Sequence, residues 1–169
     1  MPMKLKKMKK NKNVKRKVMN EELLNFSCGK LAGLKKIGVS KVKIISNISL
    51  IFQFLKIKNS EFSLNICGDA YIKKLNSRYR KLDKPTDVLS FRMSEINEET
   101  GRNMLGDIVI SVDTVMKQSK KYDEKPATEF YRMLIHGIQH LTGVTHETER
   151  KYKKMMNENE KILKILDYN

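Results

Sequence analysis

Between Pro126 and Gly143 the chain reads PATEFYRMLIHGIQHLTG, and few structures accommodate that spacing. Proline suits the first position of a helix, where its missing N–H would be unpaired anyway, and Glu129 falls in the first turn, where the helix dipole favours an anion. Phe130, Met133, Leu134, Gly137, Ile138 and Leu141 follow at steps of i, i+3, i+4, i+7, i+8 and i+11. That stripe has to face a core, so the segment is a helix buried along one side. Gly143, just past the last periodic residue, can take the left-handed conformation that ends a helix and turns the chain back.

All three histidines of the chain lie in and just after this segment, at His136, His140 and His146. At about 100° per residue, His136 and His140 share the flank of the stripe one turn apart. A reversal at Gly143 brings His146 back towards them. Three imidazoles converging in this way suit Zn²⁺, with bonds of about 2.0–2.1 Å. A lone histidine at the rim of an apolar face is usually structural; two in register with a third beyond a helix-ending glycine point to metal.

Structural zinc is closed by four protein ligands, whereas catalytic zinc keeps a position for water. Three ligands are near at hand here, and Cys67 or Cys28 could close the site from a distance. An open position would acidify a bound water towards pKa about 7 and make it a nucleophile at neutral pH. Helical zinc peptidases carry Glu directly after the first histidine as general base; this chain carries Gly137. Peptide hydrolysis by that route is disfavoured. Phosphodiester cleavage asks less of a side-chain base, because metal and cationic charge carry much of the barrier. A glycine inside a helix also costs about 1 kcal/mol against alanine, which predicts close packing of Gly137 against a strand.

The rest of the chain supplies the layers. Residues Asn20 to Lys36 are loosely helical, Lys41 to Ser46 alternate as a short strand would, and Asn47 is placed to cap a short helix bearing Ile48, Ile51, Phe52 and Leu55. Phe62, Leu64 and Ile66 alternate as a half-buried strand, and Gly68-Asp69 opens a helix carrying Ala70, Leu75 and Tyr79 and running to Arg80. Lys84 to Asp87 form a turn, Val88 to Phe91 a strand, Glu95 to Asn103 an exposed loop, Gly106 to Ser111 a buried strand and Val112 to Tyr122 a helix. In Glu147 to Leu166, Tyr152, Met155, Met156, Leu163 and Leu166 form a stripe for packing. Strands interspersed with helices over 169 residues predict one α/β sandwich domain: a mixed, mostly parallel four-stranded sheet packed with helices, the metal site on a central helix.

Charge adds a partner class. The formal net charge is +16, but residues 1–17 hold nine Lys or Arg and no acid, so the body is only moderately basic. We expect residues 1–19 to be a disordered basic tail, either a solvated extension or an arm on nucleic acid, and residues 20–169 to be the single domain. The tail lacks the apolar stretch of a secretory signal, and no apolar run reaches the roughly 18–20 residues of a membrane span. Two distant cysteines suggest free thiols in a reducing cytosol.

Three ordered motifs then carry a resemblance. The histidine motif at His136, Gly137, His140, Leu141, Gly143 and His146, the stretch Tyr79-Arg80-Lys81-Leu82-Asp83-Lys84-Pro85-Thr86-Asp87-Val88-Leu89-Ser90-Phe91, and Leu105-Gly106-Asp107-Ile108-Val109-Ile110-Ser111 resemble those of the YbeY family of bacterial rRNA maturation factors, described as metal-dependent endoribonucleases. The likeness spans about Phe62 to Leu166. It implies one Zn²⁺ ion on His136, His140 and His146, a functionally required Arg80, metal-activated water as the attacking group, rRNA precursors as substrate, the small ribosomal subunit as partner and a cytoplasmic location. A guanidinium at Arg80 makes sense as a planar bidentate donor to phosphate. The chain departs from the family where Val144-Thr145 replaces the usual Tyr-Asp, and where Arg92 stands in place of a frequent proline. Two other readings compete: a metallopeptidase-like hydrolase drawing its base from Asp87 or Glu147, and a non-catalytic RNA-binding assembly module braced by metal.

Overall fold

The structure is a computed structural model that describes residues 24–28 and 31–168; the segment 1–19, expected to be a basic tail, lies outside the described residues. Four strands, β1 (Leu24–Cys28), β2 (Ser60–Cys67), β3 (Val88–Ile96) and β4 (Asn103–Ser111), lie in the order β1-β2-β4-β3. β2 runs parallel to both β1 and β4, while β3 pairs antiparallel with β4. Among the described residues six helices accompany them: α1 (Leu31–Lys36), α2 (Lys41–Phe54), α3 (Asp69–Arg80), α4 (Val112–Lys121), α5 (Pro126–Leu141) and α6 (Glu149–Ile165). The expected single α/β domain with a mixed sheet is what the chain forms.

Alternation along the strands divides the sheet into two unlike faces. Phe62, Leu64 and Ile66 of β2 align with Ile108 and Ile110 of β4, and all five are fully buried. They meet Ile44, Ile48 and Ile51 of α2, Phe130, Leu134 and Ile138 of α5, and Ile162 and Leu163 of α6 in one core. On the opposite face Cys67, Leu89 and Val109 form a small cluster with Ile72, under α3 alone. Asp69 ties α3 down. Its carboxylate accepts hydrogen bonds from Ser111 and Thr114 at 2.6 Å each, and its N–H donates to Asp113 at 3.0 Å, so the starts of α3 and α4 cap each other.

Three expectations need correction. Lys41 to Ser46 is the first part of α2, not a strand; Ser40, not Asn47, caps it, accepting from the Lys43 N–H at 3.2 Å. The run Val42, Ile44, Ser46 imitates strand alternation, but Ile44, Ile48 and Ile51 together seat a helix on the sheet. Residues 24–28, expected to be loosely helical, form β1, because pairing with β2 is available to them only in the folded chain. Glu95 to Asn103 is less loop than expected: β3 continues to Ile96 and β4 begins at Asn103. The tip between them is anchored inward, where the buried Glu61 accepts from Asn97 at 2.5 Å and from Thr100 at 3.1 Å. Gly106, at φ +127°, is confined to glycine by the same hairpin, since a Cβ there would lie 2.0 Å from the Phe91 carbonyl oxygen.

Among the described residues, no helix is long and apolar enough to cross a membrane.

Candidate metal centre

Helix α5 begins at Pro126 and ends in a Schellman motif: the Gly143 N–H bonds to the His140 carbonyl at 3.0 Å and the Val144 N–H to the Gln139 carbonyl at 3.1 Å. Gly143 sits at φ +89°, the left-handed conformation its position predicts. The close packing expected at Gly137 is present, for a Cβ there would meet two Ile108 carbons at 3.1 Å and the Ser90 hydroxyl at 3.2 Å. That contact sets the depth of α5 on the sheet and so the height of its two histidines.

The structure brings His136, His140 and His146 together, with a ligand-capable nitrogen from each within 4.8 Å of the others. The Nε2 atoms of His136 and His140 are 3.0 Å apart, and the His146 ring lies 5.0 Å from that of His140 and 5.6 Å from that of His136, centre to centre. Tetrahedral zinc holds neighbouring nitrogens about 3.3 Å apart, so the pair is spaced for a shared cation. The tautomer agrees. His140 Nδ1 lies 2.9 Å from the Val144 carbonyl, which only accepts, so that nitrogen carries the hydrogen and Nε2 keeps its lone pair. Burial, reinforced by His140 and His146, pushes His136 down to about 4, and burial with His146 lowers His140. Both rings are therefore neutral donors at physiological pH, which is the state a metal ion takes.

Arg80 stands at the end of α3, where Lys81 turns left-handed at φ 60° and the buried Asn76 side chain pins the following loop by donating to the Lys84 carbonyl at 2.7 Å. The guanidinium is exposed, yet close enough that its charge helps to hold His140 low. Its charge thus reaches His140 from another element.

Of the two fourth-ligand candidates, Cys67 does not join the cluster. Cys67 is buried on the other face of the sheet with its thiol 3.6 Å from the Ile110 carbonyl, and the Cys28 side chain is outside the described residues. Asp87 accepts from the Val88 N–H at 2.7 Å and from Gln118 at 2.9 Å, and Glu147 faces Lys151 at 3.5 Å. Both carboxylates thus have partners of their own, although the charge of Asp87 still reaches His136.

Three neighbours take places at the site that the sequence reading had not given them. Asp87 acts on His136, its charge opposing the depression that burial causes. Tyr152, expected only to pack, is 46% exposed with its ring 5.8 Å from that of His146. The Arg92 guanidinium lies against Gly143, where a Cβ would be 3.0 Å from its nearest nitrogen. The one available signal was Arg92 itself, a cation at a position where the resemblance leads one to expect proline.

A family model described as Endoribonuclease YbeY matches residues 34–167. Among curated proteins, an Endoribonuclease YbeY from Aquifex aeolicus is 43% identical over 131 residues, covering 75% of this chain and 86% of its own length. Its counterpart from Persephonella marina is 36% identical over 138 residues, covering 82% and 86%, and that from Treponema denticola 38% over 128 residues, covering 74% and 83%. Among solved structures, a Thermotoga maritima protein determined in solution superposes with a TM-score of 0.51 at 23% identity, over 84% of this chain and 90% of its own, a likeness of fold.

Proposed function

The chain belongs to the YbeY endoribonuclease family, and from that premise we propose that it hydrolyses phosphodiester bonds of single-stranded RNA in rRNA precursors, on the small ribosomal subunit in the cytoplasm, with one Zn²⁺ on His136, His140 and His146. The observation that carries this reading is the convergence of two Nε2 atoms at 3.0 Å with His146 beside them. Residues 20–169 would be the catalytic domain, built on a mostly parallel four-stranded sheet as the β1–β2 pairing supports, and 1–19 its basic tail.

Bound zinc supplies Lewis acidity and a water acidic enough to attack near neutral pH. The chain's own residues do the rest. His140, clamped by the Val144 carbonyl, and His136, held neutral by burial, keep their donor atoms fixed without paying to deprotonate. Arg80 binds the phosphate through two parallel N–H donors and offsets the charge that builds on its oxygens. Water's oxygen bonds to phosphorus, the bond to one ribose oxygen breaks, and that oxygen departs with a proton. Gly137 removes the side-chain base that peptide hydrolysis would use, so RNA is favoured over peptide.

Replacing His140 with alanine tests the assignment. The His140→Ala protein should lose bound zinc by elemental analysis and lose cleavage of an rRNA-precursor fragment by about 10²-fold or more. Arg80→Lys should keep its zinc and lose cleavage. Wild-type cleavage in a metal-free preparation, or a fourth protein ligand by metal-edge spectroscopy, would overturn the reading.

A further inference from the structure

The face of the sheet that the main core leaves uncovered holds a cavity of about 460 Å³, of the size that takes a small molecule. Tyr71, Leu75 and Tyr79, one above another at i, i+4 and i+8 on α3, line it together with Phe91 and Met93 of β3. The floor is polar. Ser63 and Asn65 of β2 and Asp107 of β4 point into it, and among the described residues their side chains engage in no hydrogen bond or ion pair. Tyr71 and Tyr79 are 48% and 56% exposed, so this apolar stripe has not been closed by packing.

Two dipeptides join the cavity to the histidines. Tyr79-Arg80 and Phe91-Arg92 each put an aromatic ring into the cavity and a cation towards the metal site: Arg80 acts on His140, and Arg92 lies against Gly143. The two rings touch edge to face at 5.0 Å. Lys74 and Arg78 stand exposed along the same helix and Lys81 just past its end, which favours an anionic chain passing over it.

We propose that this cavity is a nucleobase pocket, which receives an unpaired guanine of the RNA whose phosphate lies at the histidines; it rests on the RNA reading above. The exposed Tyr71 ring can accept the face of a base, and unpaired bases are read at their Watson–Crick edges. The floor selects among them. Guanine alone sets two adjacent N–H donors, N1 and N2, beside a carbonyl acceptor, which matches the Asp107 carboxylate with the Ser63 hydroxyl opposite it and the Asn65 amide two residues further along β2. Uracil would turn carbonyl oxygens towards the carboxylate and be repelled.

The test uses full-length protein stripped of metal with EDTA, at one fixed salt concentration, and short single-stranded RNAs that differ in one base, by fluorescence anisotropy. The guanine oligonucleotide should bind about tenfold or more tightly than its uracil counterpart. Asp107→Asn should erase that preference, and Tyr71→Ala should weaken every oligonucleotide by about tenfold. Amide shifts of wild-type protein titrated with GMP provide a check that needs no variant, and they should cluster at residues 63, 65 and 107. Equal affinity for the four bases, unchanged preference in a folded Asp107→Asn protein, or shifts elsewhere would overturn the pocket. Metal-dependent cleavage without base preference would sink the pocket and leave the nuclease. Guanine-selective binding with cleavage surviving in His140→Ala would do the reverse.

Discussion

On one face of the sheet Phe62, Leu64, Ile66, Ile108 and Ile110 are fully buried beneath α2 and α5, whereas on the other Ser63, Asn65 and Asp107, interleaved with them on the same strands, stay half open under α3 alone. Neighbouring residues of one strand thus serve different ends. Hydrophobic burial is concentrated on the closed face, where α5 is pressed down hard enough to fix its histidines. The open face keeps polar groups within reach of solvent. β3, at the sheet edge, carries residues towards both, with Phe91 on the open side and Arg92 beside Gly143 on the closed one.

If that division is right, Phe62→Ala should cost about 3–5 kcal/mol in urea unfolding, while Ser63→Ala, one residue along, stays within about 0.5 kcal/mol. Comparable losses would erase the distinction between the faces. Gly137→Val should cost about 2 kcal/mol by forcing α5 off Ile108 and Ser90, and should weaken zinc binding in the same titration.

Acid should act next, through the closed face. In metal-free protein His136 titrates at about 4 rather than 6.5, chiefly because it is buried. Between those values the unfolded chain takes up a proton that the folded one refuses, so stability falls as pH drops from 6.5 towards 4. The loss should be roughly 2 kcal/mol, read from urea midpoints at the two ends of that range, and a flat profile would mean that His136 is solvated in the fold.

The smallest effect belongs to the open face. Burial alone would raise Asp69, but hydrogen bonds from Lys117, Ser111 and Thr114 hold it below 3.8. Its contribution is therefore present above pH 3.8 and lost as the pH falls below it. Asp69→Asn should cost about 1 kcal/mol at pH 7 and flatten the acid limb of the stability profile.

The best-read elements were those whose periodicity is long and whose ends carry their own signals. Helix α5 shows its proline start, its stripe and its glycine stop, and α3 runs from Asp69 to Arg80 as expected. The short Val/Ile-rich start of α2 fits either period, and only the sheet beneath it decides. The outer half of β3, Arg92 to Ile96, is exposed and polar, so nothing local separates it from a loop; its partner strand makes it extended. The site divides in the same way. Three histidines in one short window were legible because their geometry is a property of the helix and its turn. Tyr152 and Arg92 approach from other elements, and such proximity leaves no mark on local sequence, whereas Asp87 was legible only as a candidate base.

The acceptor that orients His140 is a main-chain carbonyl, that of Val144. Side chains at 144 and 145 can thereby vary without loosening the ring. Genetic vulnerability passes instead to the torsion angles of the turn, and a single non-glycine residue at Gly143 would do what exchanges at its two neighbours do not.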